Sequence, residues 1–281
     1  MTRTALTPRK PIIDTTRKNI IKNTYLSLAL SALLVACGGS SANQETTNAT
    51  AAADSAKQDG FVDMFENNSL AGWKGDTTYW HMKDGILKGE IREDQERLKN
   101  NTFLIWQGGE VGDFELKAQF KISEKGNSGI NYRSDLFTEL PNALKGYQAD
   151  IDGQNRYTGQ NYEERKRTTL AYRGQSTEIL NPTPENKGES KGNAWTNLKV
   201  IDTIATDQQM QAFLKPNDWN EIEIRAKGNK LTHLLNGQVI AEVTDNDTQN
   251  RKDKGMIGVQ VHVGPPMKIE YKDMKIKVIE P

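Results

Sequence analysis

Three short segments collect side chains that can move protons or hold hydroxyl groups. In Gly146-Tyr147-Gln148-Ala149-Asp150-Ile151-Asp152, the residues Tyr147, Ala149 and Ile151 fall on one face and Gln148, Asp150 and Asp152 on the other. In residues 257–263, Gly258, Gln260 and His262 oppose an aliphatic face, and in residues 130–134, Asn131 and Arg133 oppose Ile130 and Tyr132. A period of two is the pleat of a β-strand, so each polar set shares a side. The solvated face of a sandwich is polar by default, usually through Lys, Glu and Thr. Here the set is Gln, Asp, Arg, Asn and His, with small Gly and Ala between. Such short or planar hydrogen-bonding groups suit a concave face that grips a polyhydroxylated ligand.

Each side chain has a chemical use. An imidazole titrates near neutrality, so His262 can serve as general acid, general base or metal ligand. It precedes the rigid turn Gly264-Pro265-Pro266, whereas His81 lies beside Trp80 and His233 points inward from a hairpin. Asp150 is the other candidate base, and a divalent cation held by Asp150 and His262 is a possible cofactor. Arg133 carries a permanent charge on a planar fork, suited to an enolate or hydroxyl oxygen. Gln148, Gln260, Asn131 and Asp152 are expected to bind and orient substrate hydroxyls. Glu164 and Arg165, in the charged stretch 157–167, are expected to close over the rim.

These groups need strands to position them. Phe114-Glu115-Leu116-Lys117-Ala118-Gln119-Phe120, Ile222-Glu223-Ile224-Arg225-Ala226 and Met274-Lys275-Ile276-Lys277-Val278 all alternate with period two. Lys227-Gly228-Asn229-Lys230 and Lys83-Asp84-Gly85 read as turns, and Asn236-Gly237 as a hairpin between residues 231–235 and 239–243. Helical turns are expected only near residues 93–99 and 208–214, and residues 177–218 are less regular. Many short antiparallel strands over about 220 residues point to an all-β sandwich or jelly roll.

The chain of 281 residues is polar, with 26% charged side chains, and balances 37 basic against 37 acidic residues. Residues 1–36 hold six of the basic residues and the single acid Asp14, which leaves 31 basic and 36 acidic residues in the body. A mildly acidic body argues against nucleic acid as a partner. The single cysteine, Cys37, excludes a disulfide framework and a thiolate zinc site. Arg17, Lys18 and Lys22 precede an apolar run that ends in Leu34-Val35-Ala36-Cys37, followed by Gly38-Gly39-Ser40-Ser41. This reads as a secretory signal over residues 1–36. Its end resembles a bacterial lipobox, which implies a lipidated Cys37. Residues 37–59 lack aromatics and read as a flexible tether. The folded domain spans 60–281. The implied location is the cell envelope, anchored by lipid alone and placed in the outer membrane, facing either the periplasm or the exterior.

Several blocks together are similar to one bacterial family. They are Gly60-Phe61 with Phe65 and Leu70-Ala71-Gly72-Trp73; Asn101-Thr102-Phe103-Leu104; Gly112-Asp113-Phe114-Glu115-Leu116; Asn127-Ser128-Gly129 through Arg133-Ser134; Gly146 through Ile151; Trp219-Asn220-Glu221; and 257–266. In order and spacing they resemble the 3-keto-disaccharide hydrolases. The resemblance implies a concanavalin-like jelly roll that cleaves glycosides already oxidised at C3. The ketone acidifies the C2 hydrogen, a base removes it, the enolate expels the C1 substituent, and water adds to the enone. Many members carry Tyr-Glu-x-Gln where this chain has Tyr147-Gln148-Ala149-Asp150, so the acid is displaced by two residues but stays on the same strand face. A lipid-anchored carbohydrate-binding module without turnover is the alternative. Asp150 and Asp152 lie about 6.6 Å apart by strand rise, but the Glu-x-Asp-x-x-Glu motif of concanavalin-like glycosidases is absent from the chain.

Overall fold

A computed structural model of the chain describes residues 59–280. Residues 1–58, which hold the expected signal, Cys37 and all but the last residue of the expected tether, lie outside the described residues. Nineteen strands run through the described part. The first ten are β1 (Val62–Asp63), β2 (Trp73–Lys74), β3 (Trp80–Lys83), β4 (Ile86–Ile91), β5 (Thr102–Trp106), β6 (Asp113–Ile122), β7 (Asn127–Leu136), β8 (Leu144–Asp152), β9 (Asn161–Glu164) and β10 (Thr168–Ala171). The rest are β11 (Gln175–Ile179), β12 (Ser190–Lys191), β13 (Ala194–Trp195), β14 (Leu198–Thr203), β15 (Asn220–Lys227), β16 (Lys230–Leu235), β17 (Gln238–Asp245), β18 (Met256–Val261) and β19 (Met267–Ile279). The helix α1 (Asp207–Phe213) opens on a Thr206–Gln209 capping box.

The strands form two sheets. One runs β14-β11-β17-β16-β15-β6-β19-β4-β3, with β1 beside β19, and the other runs β12-β13-β10-β9-β8-β7-β18-β5-β2. Both are mixed, because β11 lies parallel to β17 and β10 parallel to β13. Alternation puts one face of each sheet into a shared core. Phe114, Leu116, Ala118 and Phe120 of β6 meet Ile130, Tyr132, Tyr147, Ala149 and Ile151 of β7 and β8 there. The sandwich and the turns at 83–85, 227–230 and 236–237 agree with the periodicity. Asp84, Gly85, Asn236 and Gly237 take the positive φ that tight hairpins demand. Residues 93–99 form no helix. The segment 177–218 is more regular than its composition implies, since it supplies the edge strand β14 and α1.

One part of the interior is ionic. Arg167 is 2% exposed and donates to Glu163 (2.5 Å), Asp245 (2.6 Å) and Asp247 (3.2 Å). Tyr147 also donates to Asp245, at 2.6 Å. Glu163 belongs to the nine-stranded sheet and Asp245 to the other, so this buried cluster joins the two layers. Nearby, the fully buried His233 faces the hydroxyl of Tyr132 at 2.9 Å, and burial pushes its imidazole down to about 4. This histidine belongs to the core.

Candidate active site

The outward face of the nine-stranded sheet carries a polar cavity of about 260 Å³. Gln148 and Asp150 of β8, Gln160, Tyr162 and Glu164 on or beside β9, Asn101 and His262 line it, with Asn127, Tyr157 and Asn193. The face holds together through a chain of side-chain hydrogen bonds. Gln160 donates to Asp150 Oδ2 at 2.5 Å and Gln148 to Asp150 Oδ1 at 2.6 Å. Gln260 Nε2 reaches Gln148 Oε1 at 3.1 Å and Glu164 Oε2 at 3.4 Å, and Asn101 donates to Glu164 Oε1 at 3.2 Å. Two carboxylates are thus linked through two glutamines.

The span of this chain reports the shape of the face. Two strands separate β9 from β18, or about 14 Å at the usual strand spacing. Two long side chains, Gln260 and Glu164, close that distance because nothing stands between them. Gly129 of β7 sits opposite Asp150 and provides the gap. A Cβ there would meet Gln148 Cδ and Cγ at 2.7 Å.

Burial sets the electrostatics. Asp150 is 9% exposed, and burial pushes its carboxyl up from 3.8 to about 7, against the two glutamine donors, which favour the anion. The charges of Glu164 and Asp152 push it the same way. Burial raises Glu164 as well, opposed by Asn101, Arg165 and His262. Burial, with the same two carboxylates, carries Tyr162 to about 12, so its hydroxyl keeps its proton. His262 Nδ1 lies 2.6 Å from the Val263 carbonyl, a contact only an N–H satisfies. The neutral ring therefore presents a bare Nε2.

The structure brings Asp150, Gln148, Glu164 and His262 to one cavity, with Gln260 directly beneath. Four other expected residues lie elsewhere. Arg133 does not face the cavity. The β7–β8 register shifts between Tyr132 and Asp135, and Arg133 takes a φ of +44°, which turns its side chain off the alternating face. Its guanidinium is buried against Gly112 O (2.9 Å), Gly228 O (2.7 Å) and Asp113 (2.9 Å), where it ties three chain segments together. Asn131 is fully buried, and neither end of its amide bonds to protein. Asp152 accepts from the backbone of Gln154 and Arg156 at the turn after β8, and lines not this cavity but the adjoining one of about 430 Å³, which it shares with His262. Arg165 lies behind Glu164 at 3.7 Å, over the Phe137 ring. Asn101, Asn127, Gln160, Tyr162 and Asn193 join the site without an alternating pattern of their own. Gln160 and Tyr162 do stand four and two positions before Glu164, the spacing of one strand face.

The donor set does not fit a divalent cation. Among the described residues no three carboxylate, imidazole or thiolate groups gather as a ligand set, and amide donors occupy both Asp150 oxygens.

A candidate glycosyl hydrolase of Parabacteroides distasonis ATCC 8503 superposes with a TM-score of 0.51 at 18% identity, covering 81% of this chain and 97% of its own. A carbohydrate-binding module of Bacillus subtilis is similar at a TM-score of 0.46 and 14% identity, covering 75% and 97%. A lichenase from a mouse hindgut metagenome is similar at 0.43 and 10%, covering 78% and 98%. At these identities the likeness is one of fold, the jelly roll. No curated protein matches the chain. The family model described as a 3-keto-alpha-glucoside-1,2-lyase-like domain matches residues 60–277, in agreement with the order of motifs along the chain, and the protein belongs to that family.

Proposed function

We propose that this carbohydrate-active protein cleaves glycosides bearing a ketone at C3, by elimination followed by hydration. The observation that carries this reading is Asp150, a carboxyl gripped by two glutamines and pushed up to about 7 inside a polar cavity that also holds His262. A base that must take a weakly acidic C–H near neutrality works best with such a value. Asp150 removes the C2 hydrogen, and the electron pair moves to the C3 oxygen. The Asn127 amide and the Tyr162 hydroxyl, on the cavity wall, are the donors for that enolate. The enolate collapses and breaks the C1–O bond. His262, protonated at Nε2, gives its proton to the departing oxygen. Water then adds to C1 of the enone, giving one proton to the neutral His262 Nε2, while Asp150 returns the proton to C2, so both groups end as they began. Glu164, held in place by Asn101 and Gln260, accepts a hydrogen bond from a ring hydroxyl.

The lipobox reading places this chemistry in the cell envelope, with Cys37 acylated and residues 38–59 as tether. The test is incubation of the purified chain with 3-keto-trehalose and with trehalose, with and without EDTA, in heavy water. Glucose release from the keto sugar alone, with deuterium entering C2, is expected. Binding without turnover would make the protein a carbohydrate-binding module. Equal cleavage of both sugars would replace elimination with ordinary hydrolysis.

A further inference from the structure

The central cavity opens on one side and is closed on the other. Toward residues 96–102 it shares only Asn101 with a neighbouring cavity. Both ends of that amide are held, Nδ2 on Glu164 and Oδ1 by the Val263 N–H at 3.0 Å, so this wall is fixed. Toward the other side it shares two residues, His262 and Asn127, with a cavity of about 430 Å³. That space is larger than the 260 Å³ around Asp150. Its walls include Lys125, Gln154 and Arg156 with the carboxylates of Glu124 and Asp152, which can bond hydroxyls, and Val263, Pro265 and Met267, which can meet the apolar edge of a sugar. No Phe, Tyr or Trp side chain lines it. A flat aryl group would find no surface to stack on, whereas a hydroxylated group would find donors and acceptors on several sides.

We propose that this second cavity is the leaving-group subsite, and that it is built for a hydroxylated leaving group that extends beyond a single sugar ring. The proposal rests on the function proposed above, because His262 stands at the boundary between the two cavities and there protonates the bond being broken. If 260 Å³ holds the oxidised ring, 430 Å³ holds more than one ring of the same kind. The substrate is then a chain oxidised at its terminal residue. Arg156 and Gln154 would bind the second leaving sugar. Both are exposed, and Asp152, 3.7 Å from Arg156, holds the guanidinium at the cavity wall.

The experiment compares maltose and maltotriose, each carrying the ketone at C3 of the non-reducing residue, on the full chain and on Gln154→Trp and Arg156→Ala. Two variants are used so that a folding failure in one does not decide the outcome. A kcat/KM at least tenfold higher for the trisaccharide, with this ratio falling toward one in either folded variant, supports the subsite. A ratio near one in the parent chain overturns it. If neither keto sugar is cleaved, the function proposed above fails, and the subsite is then read by calorimetry with unoxidised maltose and maltotriose. Tighter binding of the trisaccharide, lost in Gln154→Trp, upholds the extended cavity, and equal binding removes it.

Discussion

Replacing Asp150 by Asn should make this protein more stable at pH 8 while removing its activity. The carboxyl binds its proton more tightly in the folded chain, at about 7, than in the unfolded chain, at 3.8. Its contribution to stability is therefore undiminished below about pH 4 and is lost as pH rises to about 7. Each pKa unit is worth roughly 1.4 kcal/mol, so a gap of about three units gives a ceiling of about 4 kcal/mol. Asp150 lines an open cavity, which places the expected effect at about 2–3 kcal/mol. The amide of Asn carries no charge to desolvate, and either Gln148 or Gln160 can rotate to accept from it. Urea denaturation of the parent and variant chains at pH 4, 6 and 8 checks this. The two should agree within about 1 kcal/mol at pH 4, with the variant gaining steadily above that. A difference that is flat with pH, or a parent more stable at pH 8, would refute the assignment of a strained, proton-binding carboxyl.

Other changes separate chemistry from scaffolding. His262→Ala should lower turnover of a 3-keto-glycoside by about 100-fold or more, with the melting temperature nearly unchanged because the ring is only half-buried. Gly129→Ala should push Gln148 off its bonds to Asp150 and Gln260 and cost about 1–3 kcal/mol, read as a lower urea midpoint together with a displaced pH–rate profile. Arg133→Ala should cost about 3 kcal/mol or more by removing the donor to Gly112 O, Gly228 O and the Asp113 carboxylate, while leaving the Kd for a sugar ligand within about twofold in whatever fraction remains folded; a large loss of affinity would return Arg133 to the site. Cys37→Ser should release the protein from membranes, and lipid on any other residue in mass spectrometry would sink the anchor.

Alternation carried much of the architecture because a half-buried strand leaves a period-two trace that depends on little else. The faces of β6, β8, β15 and β18 follow from it, and so does the pairing of Gln148 with Asp150. The same rule misplaced Arg133, because one positive φ and one register shift interrupt the alternation without leaving a mark in composition. Asp152 continues its strand's polar face, but its oxygens serve the backbone N–H groups of the next turn, so it lines the adjoining cavity rather than the one around Asp150. Gln160 and Tyr162 share Glu164's parity, yet the charged residues around them look like a solvated loop. Asn101 and Asn193 come from turns that only long-range contacts bring to the cavity, so no local pattern marks them.

The buried Arg167 cluster has a consequence for how the cavity handles ligands. Arg167 sits three residues beyond Glu164 and bonds to Glu163 on one sheet and Asp245 on the other. Hinging the Glu164 rim outward would separate those charges where no water can replace the lost partners, at a cost of about 3–5 kcal/mol. The mouth is therefore cast rather than clasped. It admits a guest by matching its outline and has little capacity to mould itself to a poor one. Laboratory selection for new leaving groups should accordingly find its gains in the turns at 154–156 and 263–267, where the wall can be recut without disturbing the rivet behind Glu164.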